Sequence, residues 1–527
     1  MVRCGSGSTK ISKLRILVLA RQSLQAGRAP SFGATPDQTN ARKTAVSFVV
    51  FSRYCRGVDM VVGAWYGRAL ALAGALSALV PALAMWGFTV DDALIPLRYA
   101  HHLASGAGYR FDAVGPSTDG VTPLPWAPLL APIAAGGDLV AALERAKALG
   151  VVAWALAGAL LGLGLAKRAS GGRRETLHAA VALLVLGLAF PIGAWAASGM
   201  ETGLATALAT CAAVSFERPR RAALLAGLAA TLRPELVVWA VIVAGGAAAA
   251  GSLARGHAAR TVALALAPFA LCAVVRLVAF GRPAPLALLA KPSDAQHGVV
   301  YAGAAAVVVL TPILACAPLA LALARASSLA RTLALAALAH VAVIVAVGGD
   351  WMPYARLMVP VAPSLALVFV DVGRVARTWS TLARVLLALA VGVLIGVRAA
   401  PAGRHVHEAR KDLIAQARPL LAGAKVVAAL DVGWVGASTG ASVVDLAGLT
   451  DPSIAALPGG HTSKAVDLAM LLDRDVDTIV VYGEPRLVEQ RLLRSALFAE
   501  RFERQATIAF GAPRAGSAQR YEIYRRR

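Results

Sequence analysis

Two adjacent carboxylates, Asp91 and Asp92, are followed seven residues later by a cation, Arg98. Seven residues is two turns of helix, so the spacing predicts that Asp91 and Arg98 share one face. Adjacent carboxylates repel each other and resist burial. They suit a general base, an arginine partner or a divalent ion, and hard oxygen ligands favour Mg²⁺ or Mn²⁺. They also suit a solvated helix N-terminus, where acidic residues are favoured. Lys291 and Arg356 each stand at the end of an apolar segment. A cation there either holds a phosphate or snorkels to an interface. Glu201 and Asp350 are placed to orient a ligand or to pair with these cations. Arg233-Pro234-Glu235 interrupts an apolar run and reads as a structural clasp. Adjacent His101 and His102 point to different faces of a helix and read as loop or interface residues.

The surrounding composition points to a membrane. Of 527 residues, 58% are hydrophobic and 15% charged, and the mean hydropathy is +0.66. Soluble domains average about 45–50% apolar and about 25% charged. Apolar stretches at 66–88, 145–166, 177–195, 201–216, 222–250, 261–280, 300–323, 329–347, 357–373 and 381–399 read as helices, about 10–11 spans in all. Pro234 divides 222–250 into a broken hairpin. The net charge of +23 is spread over short links such as Lys167-Arg168, Arg173-Arg174 and Arg218-Pro-Arg-Arg221. That distribution fits cytoplasmic loops and excludes a single nucleic-acid-binding patch. The acids Asp91, Asp92, Asp112, Asp119, Asp138, Glu144, Glu201, Asp294 and Asp350 then collect on the opposite, outer side. The five cysteines have no metal-site spacing.

The expected organisation has three parts. Residues 1–59 are basic, and read as a cytoplasmic tail or as a segment ahead of a start at Met60. Residues 60–401 form a polytopic helix bundle. Residues 402–527 form a small extracytoplasmic α/β domain. Its expected strands are Lys425–Asp431, Ser442–Leu446 and Asp477–Tyr482, followed by a helix at Pro485–Phe502 and a hairpin from Arg504–Phe510 and Arg520–Arg526.

The run Asp91-Asp-Ala-Leu-Ile-Pro-Leu-Arg-Tyr-Ala100, a Gly-rich turn, and Thr122-Pro-Leu-Pro-Trp126 resembles the GT-C class of membrane glycosyltransferases. More narrowly, it resembles the terminal arabinofuranosyltransferases and their bacterial relatives. Ser198-Gly-Met-Glu-Thr202, Leu232-Arg-Pro-Glu235, Leu289-Ala-Lys291, Gly348-Gly-Asp-Trp-Met-Pro353 and Asp445-Leu-Ala-Gly-Leu-Thr-Asp451 resemble that family's motifs in the same order. Departures at Pro96 and in 283–290 weaken the likeness to the arabinose enzymes.

The resemblance implies transfer of a sugar from a polyprenyl-phosphate donor to a cell-envelope glycan or lipid-linked acceptor, outside the plasma membrane. Asp91 is then the expected base, with Asp92 assisting or holding the divalent cation. Lys291, Arg356 and Arg98 hold the donor phosphate. Glu201, Asp350, Trp351, Trp126 and Tyr354 contact acceptor or sugar, although membrane Trp more often anchors at the interface. A transporter is the rival reading, since charged residues in broken helices also mark solute pathways.

Overall fold

The computed structural model describes residues 65–169, 172–251, 255–310, 317–514 and 517–527. The expectations for residues 1–59 lie outside these.

The chain is mainly helical. After α1 (Trp65–Ala84) a 3₁₀ turn at Asp91–Ala93 leads into α2 (Leu94–Ala104), α3 (Trp126–Ala134) and α4 (Leu139–Ala169). Then come α5 (Arg173–Gly187), α6 (Phe190–Ala196), α7 (Thr202–Val214), α8 (Pro219–Leu232), α9 (Val237–Ala250) and α10 (Arg255–Phe280). The bundle ends with α11 (Ala287–Ala290), α12 (Ala295–Ala305), α13 (Ala317–Ala322), α14 (Ser328–Ala346), α15 (Leu365–Val375), α16 (Thr378–Arg398) and α17 (Ala400–Gly403). Among the described residues five helices, α1, α4, α10, α14 and α16, are long and apolar enough to cross a membrane. The pair α5–α6, bent by 61°, makes a sixth if taken as one span.

The sequence predicts more long spans than these. The segments expected at 201–216 and 222–250 are shorter helices, and α8 and α9 are separated by a 3₁₀ turn at Pro234–Leu236. This is the broken hairpin that proline and the Arg–Glu pair predict, and its arms pack on each other. Each arm has 14 residues, or about 21 Å at helical rise, short of the ~30 Å hydrocarbon thickness. The segment expected at 300–323 contains a π-helical turn, Ala306–Leu310. The segment expected at 357–373 begins with turns and keeps only α15 as regular helix.

Helix packing rests on small residues. A Cβ on Gly74 of α1 would lie 2.1 Å from the Gly158 carbonyl oxygen of α4, and one on Gly162 would lie 2.0 Å from that of Leu70. Only glycines allow this backbone approach, a small-xxx-small contact typical of apolar bundles.

The basic links meet at one end of the bundle. Arg168 pairs with Asp371 at 2.9 Å, Arg374 reaches the same carboxylate, and Lys167 pairs with Glu217. The loops carrying Asp92, Glu201, Lys291 and Asp350 meet at the opposite end, and the C-terminal region packs on them.

That region begins with α18 (Val406–Leu420), a helix outside the expected elements, followed by β1 (Val426–Ala429), α19 (Val432–Ser438) and β2 (Ser442–Asp445). Next are α20 (Pro452–Ala455), α21 (Leu468–Leu472), β3 (Thr478–Tyr482), α22 (Leu487–Leu493), α23 (Ala496–Arg501), β4 (Phe502–Arg514) and β5 (Ser517–Arg526). The sheet order is β2-β1-β3-β5-β4, with β2, β1 and β3 parallel and the β4–β5 hairpin antiparallel. The three expected strands and the terminal hairpin are therefore present. The helix expected over 485–502 is divided at Arg494-Ser495.

Alternation along the strands gives the sheet two buried faces. Val427, Ala429, Val480 and Ile523 join the core that runs into the helical bundle. Ala428, Ile479 and Val481 form a separate core with Leu471, Leu492 and Phe498.

Candidate functional site

The 3₁₀ turn and α2 divide the Asp-Asp motif between two faces. Asp91 and Arg98 share a face, as their spacing predicts, but that face meets the C-terminal region. The Asp91 carboxylate accepts the backbone N–H groups of Gly433 at 2.8 Å and Trp434 at 2.9 Å, and pairs with Arg410 at 2.7 Å. Burial, against Arg410 and with help from Asp431 and Asp92, raises its pKa from 3.8 to about 6. Arg98 is buried and donates to the carbonyls of Phe111 (2.8 Å), Gly436 (2.7 Å) and Ala441 (2.8 Å), and pairs with Asp112 at 2.9 Å. Asp91 and Arg98 therefore clamp α19. Neither Asp91, expected as the base, nor Arg98, expected as a phosphate ligand, lines the cavity that Asp92 faces.

Asp92, Ile95 and Pro96 form the other face, at i, i+3 and i+4, and line a cavity of about 480 Å³. A divalent ion shared by Asp91 and Asp92 does not fit, because Asp91 already accepts two N–H groups and a guanidinium and faces away from the cavity. Among the described residues no three His, Cys, Asp or Glu side chains gather as a metal site.

The polar wall of the cavity comes from several loops and one helix. Glu201, in the loop before α7, and Glu235, in the hairpin break, flank Arg233. Arg233 Nη1 lies 2.8 Å from Glu201 Oε1, and Nε lies 2.7 Å from Glu235 Oε1. The Gly348-Gly349 loop presents Asp350, whose carboxylate meets Arg356 Nε at 2.7 Å. Burial would raise the Asp350 pKa, but the charges of Arg356, Lys291 and Arg233 together hold it below the ordinary value. Tyr354 and Ala355, just before Arg356, have φ of 58° and 51°. Non-glycine residues in this region are strained, and such strain clusters at functional sites.

Arg276 of α10 also lines the cavity and pairs with Asp119 at 2.8 Å. Burial, opposed by Arg276, raises the Asp119 pKa to about 6. Neither residue stands out in the sequence as a site residue. The available signal is a lone arginine near the end of the apolar stretch 261–280, since a charge within such a segment marks a partner or a site. The remaining walls are mainly apolar: Phe269 and Ala273 from α10, Pro283–Pro285 just before α11, Leu288 within α11, and Leu449 from the C-terminal region. Leu449 belongs to the Asp445–Asp451 motif. Asp445 is fully buried and accepts the N–H groups of Ala447 at 2.8 Å and Thr450 at 2.7 Å, which fixes the turn that carries Leu449 to the cavity.

The cavity thus gathers Asp92, Lys291, Arg356, Glu201 and Asp350 of the expected site residues. Among the described residues, Asp92 and Lys291 are the charged cavity side chains that make no ion pair or hydrogen bond. The aromatic residues fall elsewhere. Trp126 is fully buried in the core. Trp351 is 70% exposed and stacks on His297 with ring centroids 4.0 Å apart. Tyr354 donates its hydroxyl to the Ala399 carbonyl at 2.7 Å. His101 and His102 each face a backbone carbonyl at 3.2 Å, of Ala134 and Arg110.

Residues 407–524 match a family described as a domain of unknown function, DUF8728. No curated protein and no solved structure matches the chain.

Proposed function

We propose that the chain is a membrane glycosyltransferase of GT-C type that moves a sugar from a polyprenyl-phosphate donor to a hydroxyl acceptor outside the membrane. The observation that carries this reading is the pairing, in one cavity, of an uncommitted carboxylate and an uncommitted ammonium, Asp92 and Lys291, with an apolar wall from α10. Little of that helix is buried within the protein, so the same helix offers its other face to lipid. An isoprenoid tail needs such a wall. The motif likeness carries the same reading from the sequence side, and the arabinofuranose sugar and the cell-wall acceptor rest on that likeness.

In the proposed reaction Asp92 accepts the proton of the acceptor hydroxyl as its oxygen attacks the anomeric carbon. The bond from that carbon to the phosphate oxygen breaks, and polyprenyl phosphate leaves with the electron pair. Lys291 and the Arg356 guanidinium, held by Asp350, offset the charge that builds on the leaving phosphate. Placing the basic end of the bundle in the cytoplasm follows the positive-inside rule and puts the cavity and the C-terminal region on the outer face.

The test is reconstitution in nanodiscs with a panel of polyprenyl-phosphate sugars and a glycan acceptor. Asp92→Asn is expected to lower turnover by ~10²–10⁴-fold, with the fold retained. Full turnover in Asp92→Asn would sink the base assignment. The broken hairpin with its internal Arg–Glu pairs also fits a transporter. Solute uptake into vesicles without turnover of any donor would favour that reading.

A further inference from the structure

We propose that the break between α8 and α9 is a hydroxyl-recognising subsite for one sugar ring, formed by the free oxygens of Glu201 and Glu235 on either side of Arg233. The identification of that ring as the donor's sugar rests on the glycosyltransferase reading; the subsite itself does not.

Glu201 is 1% exposed. Its Oε1 accepts from Arg233, while its Oε2 is buried and meets no donor among the described residues. A buried carboxylate oxygen without a donor is costly, so such groups in native proteins have a partner or await one. Glu235 is likewise held by Arg233 through one of its two oxygens, its side chain being 10% exposed. Arg233 Nε and Nη2 both contact Oε1 of Glu235, at 2.7 and 2.6 Å. Both carboxylates line the cavity, so the two groups present acceptors that the protein itself does not saturate.

The chemistry of those acceptors selects the ligand. An ionised carboxylate oxygen accepts only, so its partner must carry O–H or N–H. Two carboxylates around one guanidinium leave a net negative charge, which repels phosphate. Phosphate is better matched to Lys291 and Arg356. Two acceptors held in place by one arginine suit two hydroxyls of the same ring. Met200, Leu232 and Pro234 supply apolar lining beside them, suited to the C–H face of a sugar.

The experiment uses the full chain in nanodiscs free of glycoside detergents, with thermal melting to confirm that each variant is folded. Three probes are titrated: a panel of polyprenyl-phosphate pentoses and hexoses, polyprenyl phosphate alone, and the free monosaccharides. Glu201→Gln and Glu235→Gln are each expected to weaken binding of the sugar-bearing lipid by ~10-fold or more. Binding of polyprenyl phosphate alone should stay within about two-fold, because the bare lipid does not use the subsite. Parent-like affinity of both folded variants for the sugar lipid, or an equal loss for both lipids, overturns the subsite. If no lipid of the panel binds the parent, the glycosyltransferase reading fails. The subsite then stands if free monosaccharides bind the parent and are lost in Glu201→Gln, and falls if they do not.

Discussion

Gly433 donates its backbone N–H to the Asp91 carboxylate at 2.8 Å, across a separation of 342 residues. A Cβ on Gly433 would lie 2.1 Å from the Asp91 carbonyl oxygen and 2.8 Å from Oδ2. The closest contact sets a Cβ against a backbone oxygen, so no rotamer change relieves it. Gly433→Ala is therefore expected to displace α19 from α2, at a cost of about 2–4 kcal/mol. Thermal melting in nanodiscs should report the loss, and limited proteolysis should cut faster between α17 and β1. An unchanged melting temperature would show that this docking contributes little.

The same contact has a pH signature. Asp91, Asp119 and Asp445 are each pushed from 3.8 to about 6, with burial the largest cause. A carboxylic acid whose pKa is raised on folding binds its proton more tightly in the folded state. Its stabilising contribution is full below about pH 4 and is lost as pH rises through about 6. The melting temperature should thus rise as pH falls from 7 to 5. Asp91→Asn should reduce the slope, by a share of order 3 kcal/mol at most. A melting temperature that falls over this range, or a slope indifferent to Asp91→Asn, contradicts the assignment.

Arg98→Lys separates a structural arginine from a ligand-binding one. Arg98 fans its guanidinium over three carbonyls within 2.8 Å and the Asp112 carboxylate, with the Phe111 ring 4.9 Å away. A lysine ammonium keeps the charge but cannot reproduce that planar fan. The expected outcome is a loss of about 2–4 kcal/mol in stability, with the affinity of the folded fraction for polyprenyl phosphate unchanged. A selective loss of lipid affinity at parent-like stability would return Arg98 to the cavity.

The Asp91-Asp92 motif marks where the sequence was informative and where it was not. Helical spacing placed Asp91 and Arg98 on one face, and that face exists. What the face meets depended on α19, which arrives from more than 300 residues away, and local periodicity carries no signal for such a partner. The hairpin break was legible because proline and two buried charges cannot continue an apolar helix. The terminal strands were legible because their alternation is local. The lengths of the bundle helices were less so: an Ala/Leu/Val-rich run reads as one span whether or not a π turn such as Ala306–Leu310 interrupts it. Trp126 illustrates a different limit. A tryptophan at a predicted membrane edge has the same residue type whether it stacks on ligand, anchors in lipid or fills a core, and here it fills the core.

Arg276 and Asp119 bring the long connection after α2 against α10, and both side chains are almost fully buried, at 4% and 2% exposure. Asp119 Oδ1 meets no donor among the described residues, and Arg276 Nη2 also reaches the carbonyls of Val121 and Thr122. These carbonyls belong to residues that line the cavity, so the pair fixes cavity shape as well as helix position. Removing one member leaves the other charge buried without its counter-ion. Arg276→Met or Asp119→Leu alone should each cost about 3–5 kcal/mol. The double variant should recover part of that loss, because a buried ion pair is often replaceable by apolar side chains of similar volume. Chemical denaturation of all four proteins in one lipid composition gives the coupling directly. Additive losses in the double variant would mean that the two side chains contribute independently despite their 2.8 Å contact. Recovery of stability without recovery of donor binding would identify Arg276 as a group that also shapes the cavity for its ligand.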